Sequence, residues 1–254
     1  SPGNPNLQIE RIQKANIGID FSVWNGRARF NLDAYDEKTL DLFVNQPLSG
    51  TTGFGSLYIN AGKMQNKGLE VALGGDIIRN DNLTWSLDVN VGTNVNKLTD
   101  IYKTRNLDGT YTAKPIIIGD GLGIAGSAQR ILQIGLPVDT YYLPEWAGVN
   151  PENGLPMWYR VTRDANGNET ARTTTSNYAQ ATQEKLGNAA PDLFGGITTS
   201  LKWKNFDMNA VFGYSIGGRV YNYSRQEYDS DGTYTDRNQM VLMDDWSRWQ
   251  KPGD

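Results

Sequence analysis

The segment that decides the fold runs from Leu69 to Val95 and reads LEVALGGDIIRNDNLTWSLDVNVGTNV. On its returning arm, apolar side chains occupy nearly every second position from Leu83 to Val95, and the positions between them are polar or glycine. Successive side chains of a strand point to opposite faces, so one face of this arm is apolar and the other polar. With residues 79–82 as its turn, the segment predicts a long two-faced hairpin over about residues 67–98.

The length of the returning arm bears on the class of sheet. It exceeds the usual strand of about 5–6 residues, and also the roughly 9–11 residues with which a tilted strand crosses a bilayer. Soluble antiparallel sheets alternate in the same way, with one face on a core and the other in water. The arm length favours a transmembrane β-barrel, and a soluble secreted β-sandwich that binds carbohydrate at its loops stays open as the alternative.

Two further hairpins are predicted, at about residues 15–44 and 194–217. The first is expected to turn at Asn25-Gly26, because both residues accept the positive φ of a type I′ turn. The second turns at Lys204-Asn205. The connections between hairpins are predicted to be long loops, at about residues 45–66 and 99–190. Short turns at one end of a sheet and long loops at the other are typical of outer-membrane barrels.

Aromatic residues form two groups along the chain. The first lies within a few residues of the short turns, where a membrane-interface girdle is expected, and consists of Trp24, Trp85, Trp203 and Phe206. Trp24 departs from the alternation of its strand. The second group lies in the long loops and comprises Tyr111, Tyr141, Tyr142, Trp146, Trp158 and Tyr159. Aromatic faces beside Asp and Asn suit sugar or peptide ligands, although these side chains could equally pack a small core within the loop.

The composition removes several classes of function. The 254 residues include no His and no Cys, which excludes a Ser-His-Asp triad and any thiolate metal site. The formal net charge of -4 and the lack of an arginine-rich run argue against a nucleic-acid partner. No run of about 20 apolar residues exists from which a transmembrane helix could form. The chain is therefore predicted to be neither an enzyme nor a cofactor-binding protein.

Three groups of acidic residues are candidate sites. The stretch Asp164–Glu169 has the spaced oxygens of a calcium loop, but Ser176 falls around the position where such a loop needs Glu, so an Asx-type turn is favoured. Asp229 with Asp231, and Asp244 with Asp245, lie in a polar tail. Glycoside hydrolysis requires carboxylates held about 5–9.5 Å apart on a rigid frame, so these pairs are interpreted as solvated loops.

Six strings, spread over most of the chain, resemble a known family in that family's order. They are NPNL with NIGID (residues 4–7 and 16–20), PLSGTTGF (47–54), NAGKMQNKGLE (60–70), GLPV (135–138), PDLFGG with YSIGGRVYN (191–196 and 214–222) and RWQKPGD (248–254). The chain thereby resembles the SusC/RagA-type TonB-dependent outer-membrane transporters of Bacteroidetes.

The resemblance implies an all-β, antiparallel up-and-down barrel of 22 strands closed around a plug, of which this chain is expected to be part of the C-terminal half without the plug. It further implies a place in the outer membrane of a Gram-negative bacterium, in contact with its lipid, and import of oligosaccharides or peptides. TonB, acting through the missing N-terminal part, and a SusD-like surface lipoprotein are the implied protein partners.

Overall fold

The structure, a computed structural model, describes residues 2–119, 128–230 and 232–254. Strands make up most of the secondary structure, in the order β1 (Arg11–Val23), β2 (Ala28–Pro47), β3 (Ser56–Arg79), β4 (Leu83–Asp100), β5 (Lys103–Arg105), β6 (Tyr111–Ala113), β7 (Ile116–Ile118), β8 (Arg130–Leu132), β9 (Thr140–Pro144), β10 (Trp146–Val149), β11 (Pro156–Arg163), β12 (Glu169–Thr175), β13 (Gln183–Asn188), β14 (Leu193–Trp203) and β15 (Phe206–Ile216). One α-helix, α1, spans Tyr223–Tyr228, and short 3-10 helices span Gly50–Thr52 and Tyr178–Gln180. Among the described helices, none has the length and apolar content needed to span a membrane.

The six long strands form one antiparallel sheet in the order β1-β2-β3-β4-β14-β15. Each strand pairs with the next along the chain, except that the chain leaves the sheet after β4 and returns at β14. Strands β1 and β15 are the two edges. The predicted all-β, antiparallel up-and-down arrangement is confirmed.

The two faces of this sheet differ as the alternation predicts. One row across all six strands consists of Phe21, Phe30, Leu73, Val89, Ile197 and Phe212, which are paired strand to strand. Phe21 is 53% exposed, Leu73 52% and Phe212 60%. A β-sandwich would bury such a row against a second sheet. The exposure of the apolar face therefore argues against the sandwich and fits a surface whose solvent is lipid.

The strands extend farther than the apolar alternation predicts. Strand β2 continues to Pro47 and β3 begins at Ser56, so the predicted loop over residues 45–66 is wrong and the connection occupies residues 48–55. The added length mixes apolar and polar side chains on both faces, so neither face is wholly apolar, and backbone hydrogen bonds pair it with β2. A bulge between Thr39 and Leu42, with Asp41 at φ 60°, shifts the register of β2 against the added part of β3. Hydrophobic alternation cannot detect a strand of this kind.

The predicted long loop over residues 99–190 contains local secondary structure. Its described residues hold nine short strands, β5 to β13, which form a β5–β6 hairpin, a three-stranded sheet β10-β11-β12 and a four-stranded sheet β13-β9-β8-β7. The chain divides into two compact units: residues 1–116, 132–139 and 189–219 form the first, and residues 117–131, 140–188 and 220–254 form the second. Strands of three to eight residues are too short to show a period in the sequence.

The first hairpin turns at Asn25-Gly26, as predicted, and Trp24 precedes these two residues in the turn. Trp24 and Asn25 have φ values of 53° and 56°, Gly26 has 79°, and the Arg27 N–H donates to the Trp24 carbonyl at 3.2 Å. Trp24 is therefore a turn residue, which explains why it departs from the alternation of β1.

Candidate functional site

The polar face of the six-stranded sheet carries side chains that reach across one strand to the next. The Tyr35 hydroxyl on β2 donates to Asn94 Oδ1 on β4 at 3.1 Å, and the tyrosine ring lies over Gly68 on the intervening β3. A Cβ at Gly68 would lie 2.2 Å from the ring Cζ. Glycine is thus required where the aromatic ring crosses the strand.

Nearer the short turns, an ion pair likewise joins β2 to β4 across a glycine of β3. Arg29 Nη2 on β2 lies 2.9 Å from Asp88 Oδ1 on β4, and both groups lie above Gly74 on β3. A Cβ at Gly74 would lie 2.0 Å from Asp88 Oδ1. The alternation of large polar side chains and glycines ties three strands together on this face.

A cluster of amides extends the polar face toward the long connections. Asn66 Oδ1 accepts hydrogen bonds from Asn96 Nδ2 at 2.8 Å and from Asn94 Nδ2 at 3.4 Å. Close by, Asn16, Asp33, Tyr35, Glu70 and Asn94 line an open cavity of about 690 Å³. Amide and carboxylate oxygens at this density can accept hydrogen bonds from the hydroxyl or amide groups of a ligand.

Residues 135–138, the GLPV string, are held against this face. The Leu98 N–H donates to the Leu136 carbonyl and the Gly135 N–H donates to the Leu98 carbonyl, each at 2.8 Å. Asn96 Oδ1 accepts the Val138 N–H at 2.9 Å. Leu98 is only 3% exposed. This segment is therefore fixed to the edge of β4 by two backbone hydrogen bonds and to its polar face by the side chain of Asn96.

Asn96→Ala is expected to loosen residues 135–138, because it removes the acceptor for Val138 and the donor to Asn66. The expected loss is about 1 kcal/mol of local stability, measured as faster amide hydrogen exchange at Val138. Asn94→Ala is the matched control. Asn94 lies on the same face of β4, but its hydrogen bonds go to Tyr35 and Asn66 and not to residues 135–138. Equal exchange at Val138 in both variants would contradict the assignment.

The aromatic residues of the long loops separate into pairs. Trp146 and Trp158 meet edge to face with centroids 5.8 Å apart, and Trp158 meets Tyr178 in the same way at 5.1 Å. Tyr178, whose pKa is raised by burial, was not predicted. It lies in the polar stretch SNYAQ, where no periodicity marks it. Trp146 remains 53% exposed and is the accessible end of this aromatic cluster.

The other predicted loop aromatics have separate surroundings. The Tyr141 hydroxyl accepts the Tyr221 N–H at 3.4 Å, and Tyr142 is paired with Lys185 between β9 and β13. Tyr111, 65% exposed, is on β6 in the first compact unit. The six residues therefore do not all belong to one cluster, and contact with a ligand stays a prediction.

Tyr159 is covered by a fixed cation. The Arg172 guanidinium lies 4.9 Å from the centre of the Tyr159 ring and bonds Glu169 and Glu145, each at 2.9 Å. Hydrogen bonds to Glu169 and then to Glu145 raise the pKa of Arg172 above its usual range. Since its donors are already engaged, this arginine clamps β12 to its neighbours rather than offering a free cation to an anionic ligand.

The stretch Asp164–Glu169 forms the turn between β11 and β12. Asp164 Oδ1 accepts the N–H groups of Asn166 and Asn168 at 2.9 and 2.8 Å, and Oδ2 accepts from Asn168 Nδ2 at 3.1 Å. These bonds, led by the Asn168 N–H, lower the pKa of Asp164. The carboxylate is thus engaged within its own turn, and the Asx-type interpretation is confirmed. Asp231 lies outside the described residues, and Asp244 and Asp245 are exposed in irregular chain.

The predicted girdle residues lie close to the short turns. Trp203 and Phe206 stack with centroids 6.0 Å apart, and Trp85 Nε1 donates to Thr199 Oγ1 at 2.9 Å. Trp24 is 76% exposed. The Lys204 N–H donates to the Asn82 carbonyl at 3.0 Å, which joins two of the short turns at one end of the sheet. The place of these four aromatics at a membrane interface stays a prediction.

Comparison with known proteins gives the family. The family model described as "TonB dependent receptor-like, beta-barrel" matches residues 1–250. The chain belongs to this family. Among curated relatives, TonB-dependent receptor P3 of Formosa agariphila is 30% identical over 232 residues, covering 89% of this chain and 22% of the relative. TonB-dependent receptor SusC of Bacteroides thetaiotaomicron is 27% identical over 220 residues, covering 86% of this chain and 20% of the relative.

Comparison with a solved structure agrees with the family found from the sequence comparisons. The RagAB peptide transporter superposes with a TM-score of 0.77 at 25% identity, covering 100% of this chain and 27% of that chain. The SusC/RagA-type resemblance is confirmed, and the chain spans about a quarter of the length of the relatives that it matches. Members of this family are β-barrels of the Gram-negative outer membrane. The long strands of this chain are part of such a barrel.

Proposed function

We propose that this chain forms part of the barrel wall of a TonB-dependent importer that takes up oligosaccharides or peptides, with TonB supplying energy and a SusD-like lipoprotein at the extracellular mouth. The two-faced sheet is the observation that carries the proposal. A wall between lipid and an aqueous lumen must be apolar on one face and polar on the other.

The dimensions of the apolar face support this role. In β4 the apolar stripe runs from Leu83 to Val95, which is twelve residue steps. Twelve steps correspond to about 40 Å along a strand, and to about 28 Å across a membrane when the strand is tilted by about 45°. This height agrees with the outward apolar band of about 25 Å in outer-membrane barrels.

The polar face is then the lumenal wall. Tyr35, Asn66, Glu70 and Asn94 line the open cavity on this face, and residues 135–138 are fixed beside it. Hydroxyl-rich sugars and peptide backbones are the ligands that such acceptors suit. Relatives named SusC and RagAB support import, and the latter is described as a peptide transporter.

Trp146→Ala is expected to weaken substrate uptake without loss of fold. Trp146 is the exposed end of the aromatic cluster, and stacking of a sugar ring or peptide side chain on it would be lost. We expect a roughly three- to ten-fold rise in half-saturating substrate concentration, from a stacking contribution of about 0.5–1.5 kcal/mol. Trp24→Ala is the control, since Trp24 is an equally large side chain, 76% exposed, in a short turn at the end of the sheet opposite the long connections. An unchanged uptake curve for Trp146→Ala would remove this residue from the ligand site.

The import function is tested in cells that carry the full-length protein. Uptake of labelled oligosaccharides and of labelled peptides of equal mass is measured with and without the gene, and again with TonB inactivated. The proposal expects one substrate class to require both the protein and TonB. Purification in detergent should also recover a SusD-like lipoprotein. Uptake that is independent of the protein for both classes would refute it.

A further inference from the structure

Lysines follow directly above the apolar stripe on the outward face of three adjacent strands. In β3 the next outward position beyond Leu69 is Lys67, and in β4 the next beyond Val95 is Lys97. In β2 the outward positions beyond Ala34 are Asp36 and Lys38. These residues lie at the end of the sheet that carries the long connections, opposite the end with the short turns.

The register places these lysines in two neighbouring rows. One row pairs Asp36 with Lys67 and Lys67 with Val95. The row beyond it pairs Lys38 with Gln65 and Gln65 with Lys97. The side chains agree with this placement, because Asp36 contacts Lys67 Nζ at 3.5 Å and accepts hydrogen bonds from Gln65 Nε2 at 2.7 and 2.9 Å. All of these groups therefore lie on the same face as the apolar stripe.

The charge of this patch is not neutralised within the described residues. Lys67 is matched by Asp36, but Lys38 and Lys97, both exposed, form no salt bridge with any described residue. On the opposite face at the same height, Lys14 is paired with Glu37 at 2.7 Å. The outward face thus presents two uncompensated cations at the border of the apolar band that is nearer the long connections.

We infer that Lys38, Lys67 and Lys97 form a binding patch for the phosphate groups of outer-leaflet glycolipid. The inference rests on the proposed outward orientation of the apolar face. A lipid that covers the stripe from Leu69 to Val95 places its headgroup at the height of these lysines, so continuity with the lipid-covered surface and charge complementarity favour the same occupant. Lysine is a common point-charge ligand of phosphate, and its long alkyl stem can lie along apolar surface while the ammonium reaches the headgroup.

The test uses the full-length protein in phosphatidylcholine nanodiscs containing a small fraction of either diphosphoryl lipid A or its dephosphorylated form. Lipid bound to the protein is counted by native mass spectrometry. Wild type is expected to retain the phosphorylated form preferentially. The Lys38→Gln, Lys97→Gln double variant is expected to retain it roughly thirty-fold less, which is the combined attraction of two lysines near a charged surface. Raising the salt concentration should reduce the difference, because these charges are exposed.

Lys14→Gln is the matched control on the opposite face, and it should retain lipid as the wild type does. The inference would be overturned if the wild type retained both lipid forms equally. It would also be overturned if the double variant retained as much of the phosphorylated form as the wild type does. Loss of retention in Lys14→Gln alone would show that the apolar face points inward, which also overturns it. Substrate uptake is measured on the same variants, so a failed import function is distinguished from a failed lipid patch.

Discussion

Val89→Arg is expected to impair membrane insertion of the full-length protein more than any other single change on this sheet. Val89 lies six residue steps from Leu83 and six from Val95, at the middle of the apolar stripe. It also lies within the continuous apolar row, between Leu73 and Ile197. An arginine facing lipid at the bilayer midplane costs about 2–4 kcal/mol.

The effect is measured as the free energy of unfolding in bilayers and as the fraction of protein that reaches the outer membrane. Asn90→Arg is the matched control, because the same side chain is introduced one residue later and points to the polar face. Within the described parts of the chain, the side chain of Asn90 has no hydrogen bond, and the Tyr214 hydroxyl donates to the Asn90 backbone carbonyl, which the substitution keeps. Equal losses in the two variants would show that the faces are assigned wrongly.

Gly195→Ala should produce the second large effect, through backbone geometry. A Cβ at Gly195 would lie 2.1 Å from the Asn90 carbonyl oxygen on β4 and 2.6 Å from Tyr214 Oη on β15. The carbonyl belongs to a neighbouring strand and cannot rotate away, and the Tyr214 hydroxyl already donates to it at 2.8 Å. Strands β4 and β14 must separate locally, at an expected cost of roughly 1–3 kcal/mol.

Gly213→Ala is a close control for this change. Gly213 is on the adjacent strand β15 and has no heavy atom within 4 Å of the position that its Cβ would take. A change of less than about 0.5 kcal/mol is expected there, measured by denaturant unfolding in the same detergent. Tyr214→Phe separates the two causes, because it removes the hydrogen bond but not the strand spacing and should cost about 1 kcal/mol. If Gly195→Ala proved as mild as Gly213→Ala, the close contact with Asn90 would not exist.

Much of the membrane-facing sheet could be predicted from the chain itself. The alternation from Leu83 to Val95 gives a period of two, and a period of two fixes which side chains share a face once strands pair. The short turns predicted the hairpins and the end of the sheet at which Trp85, Trp203 and Phe206 lie. The resemblance identified the family. In each instance the signal is local, because it is carried by neighbours in sequence.

The candidate site was less predictable for a physical reason. Tyr178 joins Trp146 and Trp158 only through tertiary contacts, and Arg172 covers Tyr159 only because β11 and β12 pair. The part of β3 that precedes Lys67 is not predicted from the sequence, because apolar and polar side chains are mixed on both of its faces. Backbone hydrogen bonds stabilise such strands without leaving a hydrophobic period in the sequence.

By itself, the sequence determined that this protein makes long two-faced strands joined by short turns at one end. It did so because alternation and turn chemistry are properties of adjacent residues. The tertiary structure alone decided which strands are neighbours across the gap between β4 and β14, and why Gly68, Gly74 and Gly195 are glycines. It also decided that Lys38 and Lys97 share one surface row. Those facts depend on register between strands far apart in sequence, which local periodicity does not encode.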